Sequence, residues 1–301
     1  MNYCQFLAQD SFAIYLFHGV IAANTSRVRN YTRKHLLLDE FAVIIKTLAE
    51  GGTPISMDDV LSFQDTGETP PSRAFAVTFD DGFENNLTVA APILADFNIP
   101  ATFYVSTDFI ERNIMSWTDR IEWAFEEASA IRITVPWDTE TRTTRSDSEK
   151  RALLDDIRAH VKNDLTIDPQ HLASDLQRQI GFPETCSQGG PLDQKMTWKQ
   201  VQELKDRSGN IIGGHSHTHA VLSALDEPTL NHEIGTSLKL LRDNIDIDPI
   251  HYSYPEGLDH CFNDTVISSL KREGVRCSPT AIFGVNSWRE DPFHLKRITV
   301  V

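Results

Sequence analysis

Long apolar runs are missing from this 301-residue chain. No stretch approaches the roughly 20 consecutive apolar residues that a spanning helix requires, and Met1 to Asp10 lacks the basic segment and apolar core of an export signal. Basic charge is short as well: 28 Lys+Arg stand against 43 Asp+Glu, a formal net charge of −15. That balance repels phosphate backbones and anionic lipid heads, so nucleic acid and membrane surfaces are poor partners. Cysteine is scarce. Cys4, Cys186, Cys261 and Cys277 are scattered with no CxxC pair, which argues against a cysteine-built zinc site and a disulfide framework. The expectation is a cytoplasmic protein with reduced thiols. No repeat of fixed period and no low-complexity tract is visible.

What the chain does have is a 40% share of hydrophobic residues, enough for a sizeable core, and a length that suits one large α/β domain carrying an insertion or two small domains. The apolar, β-prone runs at 12–17, 74–79 and 101–105 predict buried strands. Between the first two, Phe41, Ile44, Ile45 and Leu48 recur at helical spacing and Gly51-Gly52 follows as a stop. A second short helix is expected over 87–97. Strand, helix, strand, helix implies parallel βαβ units, hence a doubly wound sheet or a (β/α) barrel. The pattern changes over 109–195, where 117–128, 148–163 and 171–180 predict helices separated by the polar run 138–147, so an inserted helical subdomain is expected. Pro169 near the start of the last helix and Gly181-Phe182-Pro183 after its end fit capping rules. The βα alternation resumes with a helix over 197–207, a strand over 210–213, a helix over 227–244 and a strand over 251–254.

Two constellations carry chemistry. Thr78-Phe79-Asp80-Asp81-Gly82 puts adjacent carboxylates where a buried strand meets a glycine turn, the edge at which active sites gather in parallel α/β folds. Neighbouring residues on an extended chain point to opposite sides, so a division of labour follows, one Asp binding a cation and the other handling a proton. Gly213-Gly214-His215-Ser216-His217-Thr218-His219 places three histidines within five residues just after a short apolar strand. Imidazole is the commonest neutral ligand for Zn²⁺ and its neighbours. In a turn entering a helix His215 and His219 share a face; on an extended chain all three do, so spacing alone leaves His217 open. With Asp81 the set supplies His, His and carboxylate with positions left for water and substrate, a catalytic rather than a structural ligand count.

Thr-Phe-Asp-Asp-Gly followed far downstream by His-Ser-x-x-His resembles the first two motifs of the polysaccharide deacetylases, the NodB-homology family of carbohydrate esterases. Leu16-Phe17-His18-Gly19-Val20, Ala91-Pro92-Ile93-Leu94, Pro100-Ala101-Thr102-Phe103-Tyr104-Val105, Met196-Thr197-Trp198 and Leu295-Lys296-Arg297-Ile298 agree with that family. The likeness covers 12–110 and 196–300 and leaves the insertion outside. It implies an irregular (β/α)7-type barrel, one catalytic domain over 1–301 with the 109–195 insertion within it, in which Asp81, His215 and His219 bind a divalent metal and Asp80 is the general base. Zn²⁺ suits two imidazoles and one carboxylate, with Co²⁺, Ni²⁺ or Fe²⁺ able to occupy the same ligands. His217 then occupies a variable position as a bystander.

Many members use a histidine near the C-terminus as the acid, and this chain has no Leu-x-His there. A subgroup with rearranged motif order begins with a strand ending in Tyr-His, which Phe17-His18 resembles, so the acid role falls to His18, with His294 the competing candidate. Ser253-Tyr254-Pro255-Glu256-Gly257 resembles the third motif but lacks its Arg. Arg297 is the expected replacement that orients the base, and the Glu256 backbone N–H the expected oxyanion donor. Tyr254, Trp288 and Phe83 are candidate sugar-stacking aromatics. The implied reaction is metal-dependent hydrolysis of an N-acyl group, most simply N-acetyl, from an amino sugar. The substrate would be a glycan, lipid-linked oligosaccharide or nucleotide sugar of surface-polysaccharide synthesis. A deformylase, an O-acetyl esterase and a non-catalytic carbohydrate-binding barrel are the alternatives.

Overall fold

All three apolar runs are neighbouring strands of one sheet in the computed structural model of the chain, which describes residues 2–182 and 189–301; Pro183 and Cys186 lie outside the described residues. The elements in chain order are β1 (Ser11–Phe17), β2 (Gly19–Ile21), β3 (His35–Leu37), α1 (Leu38–Gly51), β4 (Thr53–Pro54), α2 (Met57–Thr66), β5 (Ala74–Phe79), α3 (Ala91–Asp96), β6 (Ala101–Val105), α4 (Thr107–Arg112), α5 (Trp117–Glu127), β7 (Ile131–Ile133), β8 (Arg142–Thr144), α6 (Asp147–Asn163), α7 (Pro169–Ile180), α8 (Trp198–Asp206), β9 (Ile211–Gly214), α9 (Glu227–Ile245), α10 (Asp264–Arg272), β10 (Asn286–Ser287) and β11 (Ile298–Thr299). The seven-stranded sheet runs β10-β1-β5-β6-β9, with β11 also on β1 and β4 also on β5. Every pairing in it is parallel except β1 with β10. All six residues of β5 are buried, as in a strand covered on both faces. Single parallel bridges from Gly214 to Tyr252 and from His251 to Cys277 carry the strand succession past β9. The result is the parallel α/β arrangement that the sequence predicts.

Three local departures have physical causes. The helix expected over 87–97 starts as a π-turn over Asn86–Ala90 before α3, because Pro92 has no N–H to give to the preceding turn. Residues 251–254 make bridges rather than a named strand; they run straight into the Pro255-Glu256-Gly257 turn, where Glu256 and Gly257 take left-handed φ of 59° and 61°. The insertion also contains an antiparallel hairpin, β7 with β8. Only Ile131 and Ile133 alternate inward there, too short a period-two signal to stand out in a polar stretch.

The insertion has its own apolar cluster, built from Trp117, Ile121 and Phe125 of α5, Leu153, Leu154 and Ile157 of α6, and Leu172 and Leu176 of α7, joined by Val28. The main core lies between the sheet and α1, α3, α8, α9 and α10. Caps mark the helix starts: Thr197 forms a capping box with Gln200 ahead of α8, and Asp168 accepts from the Gln170 and His171 N–H groups ahead of Pro169. No helix among the described residues is long and apolar enough to cross a membrane.

Glycine at the end of β9 is a packing requirement. A Cβ on Gly213 would lie 2.7 Å from Tyr104 Cδ1 and 2.8 Å from the His251 carbonyl oxygen, whereas one on Gly235 of α9 would meet no heavy atom within 4 Å. Gly213→Ala is expected to lower the unfolding free energy by about 2 kcal/mol, and Gly235→Ala to raise it by about 0.5 kcal/mol through helix propensity; urea unfolding curves of the two variants check both signs.

Candidate active site

The C-terminal ends of β1, β5 and β9 bring His18, the Asp80-Asp81 pair and His215 to one edge of the sheet, the functional edge of parallel α/β folds. Asp80 continues the strand, its N–H donating to the Phe17 carbonyl at 3.0 Å. Asp81 then turns into left-handed backbone (φ 76°), as does Gly82 (φ 79°). This bend, uncommon for a non-glycine residue, sends the two carboxylates into different surroundings.

Asp80 is held by Arg297, the residue just before β11. Nη1 donates to Oδ1 at 2.9 Å and Nη2 to Oδ2 at 2.8 Å. The remaining guanidinium hydrogens go to the Thr280 carbonyl (2.6 Å), Ser253 Oγ (2.9 Å) and Thr78 Oγ1 (3.4 Å). Arg297 is 0% exposed, and its five donors meet five acceptors, which is what makes a buried charge tolerable. Burial pushes the Asp80 pKa up, but the Arg297 charge, His215 and the Arg297 hydrogen bonds outweigh it, so the carboxyl stays below its ordinary range.

Asp81 has no arginine. Lys34 Nζ lies 2.9 Å from its Oδ2, while Oδ1 is buried without a hydrogen-bond partner, 3.7 Å from His215 Nε2 and 3.3 Å from His219 Nε2. Ligand atoms of these three residues all lie within 4.8 Å of one another. A tetrahedral ion with ligands at about 2.1 Å needs donor atoms about 3.4 Å apart, so the set fits a divalent cation. The tautomers agree: His215 Nδ1 is 2.8 Å from the Ser253 carbonyl and must donate to it, which leaves the Nε2 lone pair facing Asp81. Burial lowers the His215 pKa, favouring the neutral ligand form. His219 goes the other way, since the carboxylate of Asp81 overcomes burial.

The histidine loop is not a helical turn. Ser216 and His219 adopt left-handed φ of 58° and 61°, and the Glu233 carboxylate of α9 accepts from the His217 and Thr218 N–H groups at 3.0 and 2.9 Å and from Thr218 Oγ1 at 2.8 Å. This fold of the loop aims His215 and His219 at Asp81 and turns His217 away to Thr107 Oγ1 (2.9 Å). His219 stacks on Phe109 with centroids 5.7 Å apart.

His18 is partly buried beside Asp81, Lys34, Asp80 and Arg297; burial brings its pKa down to about 4, with the two carboxylates opposing and the two cations assisting. Glu256 sits at the mouth of the site, its carboxylate 2.6 Å from Lys162 Nζ of α6. Lys162 and His219 overcome burial and lower its pKa to about 2. The three aromatic candidates do not face a ligand. Tyr254 is fully buried, donates its hydroxyl to the Phe293 carbonyl at 3.1 Å and stacks on Phe262. Trp288 packs on Phe12 and Phe63 at the opposite end of β1. Phe83 is fully buried and presents its ring to Lys195 Nζ, 3.2 Å from the centroid. His294 lies at the surface, with Nδ1 3.4 Å from Asp291.

Lys34, Asp119 and Lys195 are site neighbours that no local motif marks. Lys34 Nζ also lies 3.3 Å from Asp119 Oδ2, and Asp119 accepts from Ser116 Oγ in the first turn of α5. Lys195 is 0% exposed and its ammonium has no hydrogen-bond partner; burial lowers its pKa to about 8, with Asp119 opposing, and the Phe83 face supplies cation–π contact instead.

The profile of the polysaccharide deacetylase family matches residues 67–278. No curated protein sequence matches the chain. Among solved structures, the Streptococcus pyogenes deacetylase PplD in complex with acetate is 17% identical with a TM-score of 0.62, covering 97% of this chain and 93% of that one. A de-N-acetylase from Aggregatibacter actinomycetemcomitans is 16% identical with a TM-score of 0.62, covering 96% and 94%. IcaB from Ammonifex degensii is 14% identical with a TM-score of 0.61, covering 98% and 94%. At these identities the likeness is one of fold.

Lys34 neutralises two buried carboxylates at once. Lys34→Met is expected to destabilise the metal-free protein by about 3 kcal/mol, and added Zn²⁺ to recover more of the melting temperature in the variant than in wild type, because the cation replaces the missing charge at Asp81. Thermal unfolding with and without Zn²⁺ checks this; an unchanged melting temperature without metal would contradict it.

Proposed function

The chain belongs to the polysaccharide deacetylase family, and on that premise we propose that it hydrolyses the N-acetyl group of an amino sugar at the Asp81–His215–His219 centre. The observation that carries this reading is the unequal treatment of two adjacent carboxylates: Asp80 is closed on both oxygens by Arg297, while Asp81 keeps one oxygen open toward two imidazoles. The acetate bound to the Streptococcus pyogenes neighbour and the description of a second neighbour as a de-N-acetylase support acetyl as the group removed.

Asp81, His215 and His219 would hold a divalent cation, Zn²⁺ by ligand type, which when bound polarises an acyl carbonyl and acidifies water. Asp80 accepts the proton of the attacking water as the new C–O bond forms at the acyl carbon. Arg297 fixes the plane of that carboxylate and stands in for the arginine missing from the third motif. The Glu256 N–H, set in the left-handed turn at 255–257, is assigned to the developing oxyanion. His18 delivers a proton to the departing amine nitrogen as the C–N bond breaks. Its low pKa leaves the resting imidazole neutral at pH 7, so the proton that reaches the amine is the one Asp80 took from the water, passed on through His18 as Asp80 returns to the carboxylate. A histidine at the end of the first strand in this role corresponds to the rearranged motif order. The 109–195 insertion is assigned to the same catalytic domain, since Asp119 and Lys162 reach the site from it, and the substrate to an N-acetylated sugar of surface-polysaccharide synthesis.

Acetate release from N-acetylglucosamine glycosides tests the reading. Chelation should abolish it and Zn²⁺ restore it, and Asp80→Asn should cost at least 100-fold in kcat while Zn²⁺ affinity stays within a few fold; wild-type turnover by Asp80→Asn would remove it as the base. Arg297→Gln takes away the charge that lowers the Asp80 pKa. That pKa then rises, and the acid limb of the kcat/KM profile is expected to move to higher pH; an unmoved limb would show that another group titrates there.

A further inference from the structure

A cavity of about 850 Å³ opens between the insertion and the loops of the main domain, and His219 and Glu256 are among the residues that line it. Its lining comes from α4, α5, the end of α6, the segment leading to α7 and the first turns of α7, together with residues of 218–225 and 256–261. The volume suits one small ligand. Because His219 is one of the three centre residues, whatever fills the cavity is attached to, or next to, the group that reacts.

The chemistry of the walls narrows the ligand. Three cations, Arg112, Arg120 and Lys162, face three carboxylates, Asp108, Asp168 and Glu256, so the lining is formally neutral in a chain of net charge −15. Each of these groups is engaged by the protein: Arg112 with Asp108, Lys162 with Glu256, Arg120 with Gln177, Gln170 and Ser174, and Asp168 with the start of α7. A diphosphate would have to break such pairs. A run of sugar units calls for exposed aromatic faces, yet Trp117, the single Phe, Tyr or Trp of the lining among the described residues, is only 4% exposed. The rest of the lining joins a few polar side chains, Gln170, His171, Ser174, Thr218 and His260, to a larger apolar share that includes Ile114, Met115, Val161, Ile167 and Leu258, and Leu165 stands 37% exposed among these lining residues.

We propose that this cleft binds the aglycone of the reacting amino sugar and that the aglycone is an uncharged hydrocarbon, so that the substrate is an amphipathic glycoside and not a stretch of polysaccharide or a nucleotide sugar. The proposal rests on the hydrolase reading above, and the sugar ring with its N-acyl group is placed at His219 while the chain runs outward past Val161 toward Leu165. Each methylene that leaves water for such a surface strengthens binding by up to about fourfold.

The test uses methyl and octyl glycosides of N-acetylglucosamine below micellar concentrations, with chitotriose and UDP-N-acetylglucosamine as the glycan and nucleotide arms. KM from acetate release is paired with calorimetric Kd on the same 301-residue protein. The expected result is a fall of at least tenfold in both constants from methyl to octyl, and collapse of that octyl-to-methyl ratio to below threefold in Leu165→Asp. Constants that ignore alkyl length, or that improve as sugars or a nucleoside diphosphate are added, overturn the proposal. A tenfold tighter Kd for octyl without acetate release would instead sink the hydrolase reading and leave the cleft assignment standing.

Discussion

One guanidinium without access to water organises this site. Arg297 reaches Asp80, Thr78, Ser253 and Thr280, so β5, the segment after β9 and the C-terminal strand region are tied to a single planar cation. A buried arginine is costly unless every donor is met and its charge is countered, and here Asp80 supplies the counter-charge through a bidentate pair, the strongest geometry available to it. The consequence is a carboxylate that can neither rotate nor be captured by a neighbouring cation. Asp81 is thereby left as the acid with an oxygen to spare.

The insertion takes part in the electrostatics of the centre. Asp119, in the first turn of α5, shares Lys34 with Asp81, and Lys162, near the end of α6, closes on Glu256. Both contacts join the insertion to groups that touch the centre or its mouth. A body with its own apolar cluster is therefore linked to the main domain through buried or half-buried charge. Breaking either pair leaves a carboxylate uncompensated in a low-dielectric setting, so the position of the insertion and the charge state of the site are linked.

Much of the frame was legible in the residues. The runs 74–79 and 101–105 coincide with β5 and β6, and the helices at 117, 148 and 171 begin within two residues of their observed starts, because buried parallel strands and capped amphipathic helices leave local, periodic marks. The hairpin β7–β8 left a weak one, and the strand expected over 251–254 forms bridges only. At the centre, Asp81, His215 and His219 were nameable from two short motifs. Their convergence depends on the left-handed φ of Asp81, Ser216 and His219 and on Glu233 of α9, none of which has a local sequence mark. The aromatic candidates fared differently: Tyr254, Trp288 and Phe83 are all consumed by packing, as large rings beside apolar strands usually are.

The sequence by itself determined the strands and helices, the parallel α/β class and the residue types of the centre, since each of these is written within a dozen neighbouring positions. Tertiary structure alone decided that Asp81 and Asp119 share the Lys34 ammonium, that Lys195 is buried over Phe83, and that His219 lines a cleft with as many cations as carboxylates. Those contacts join segments tens of residues apart, and the energy that selects them is the desolvation of charge in a packed interior, which depends on everything around a residue and very little on its neighbours in the chain.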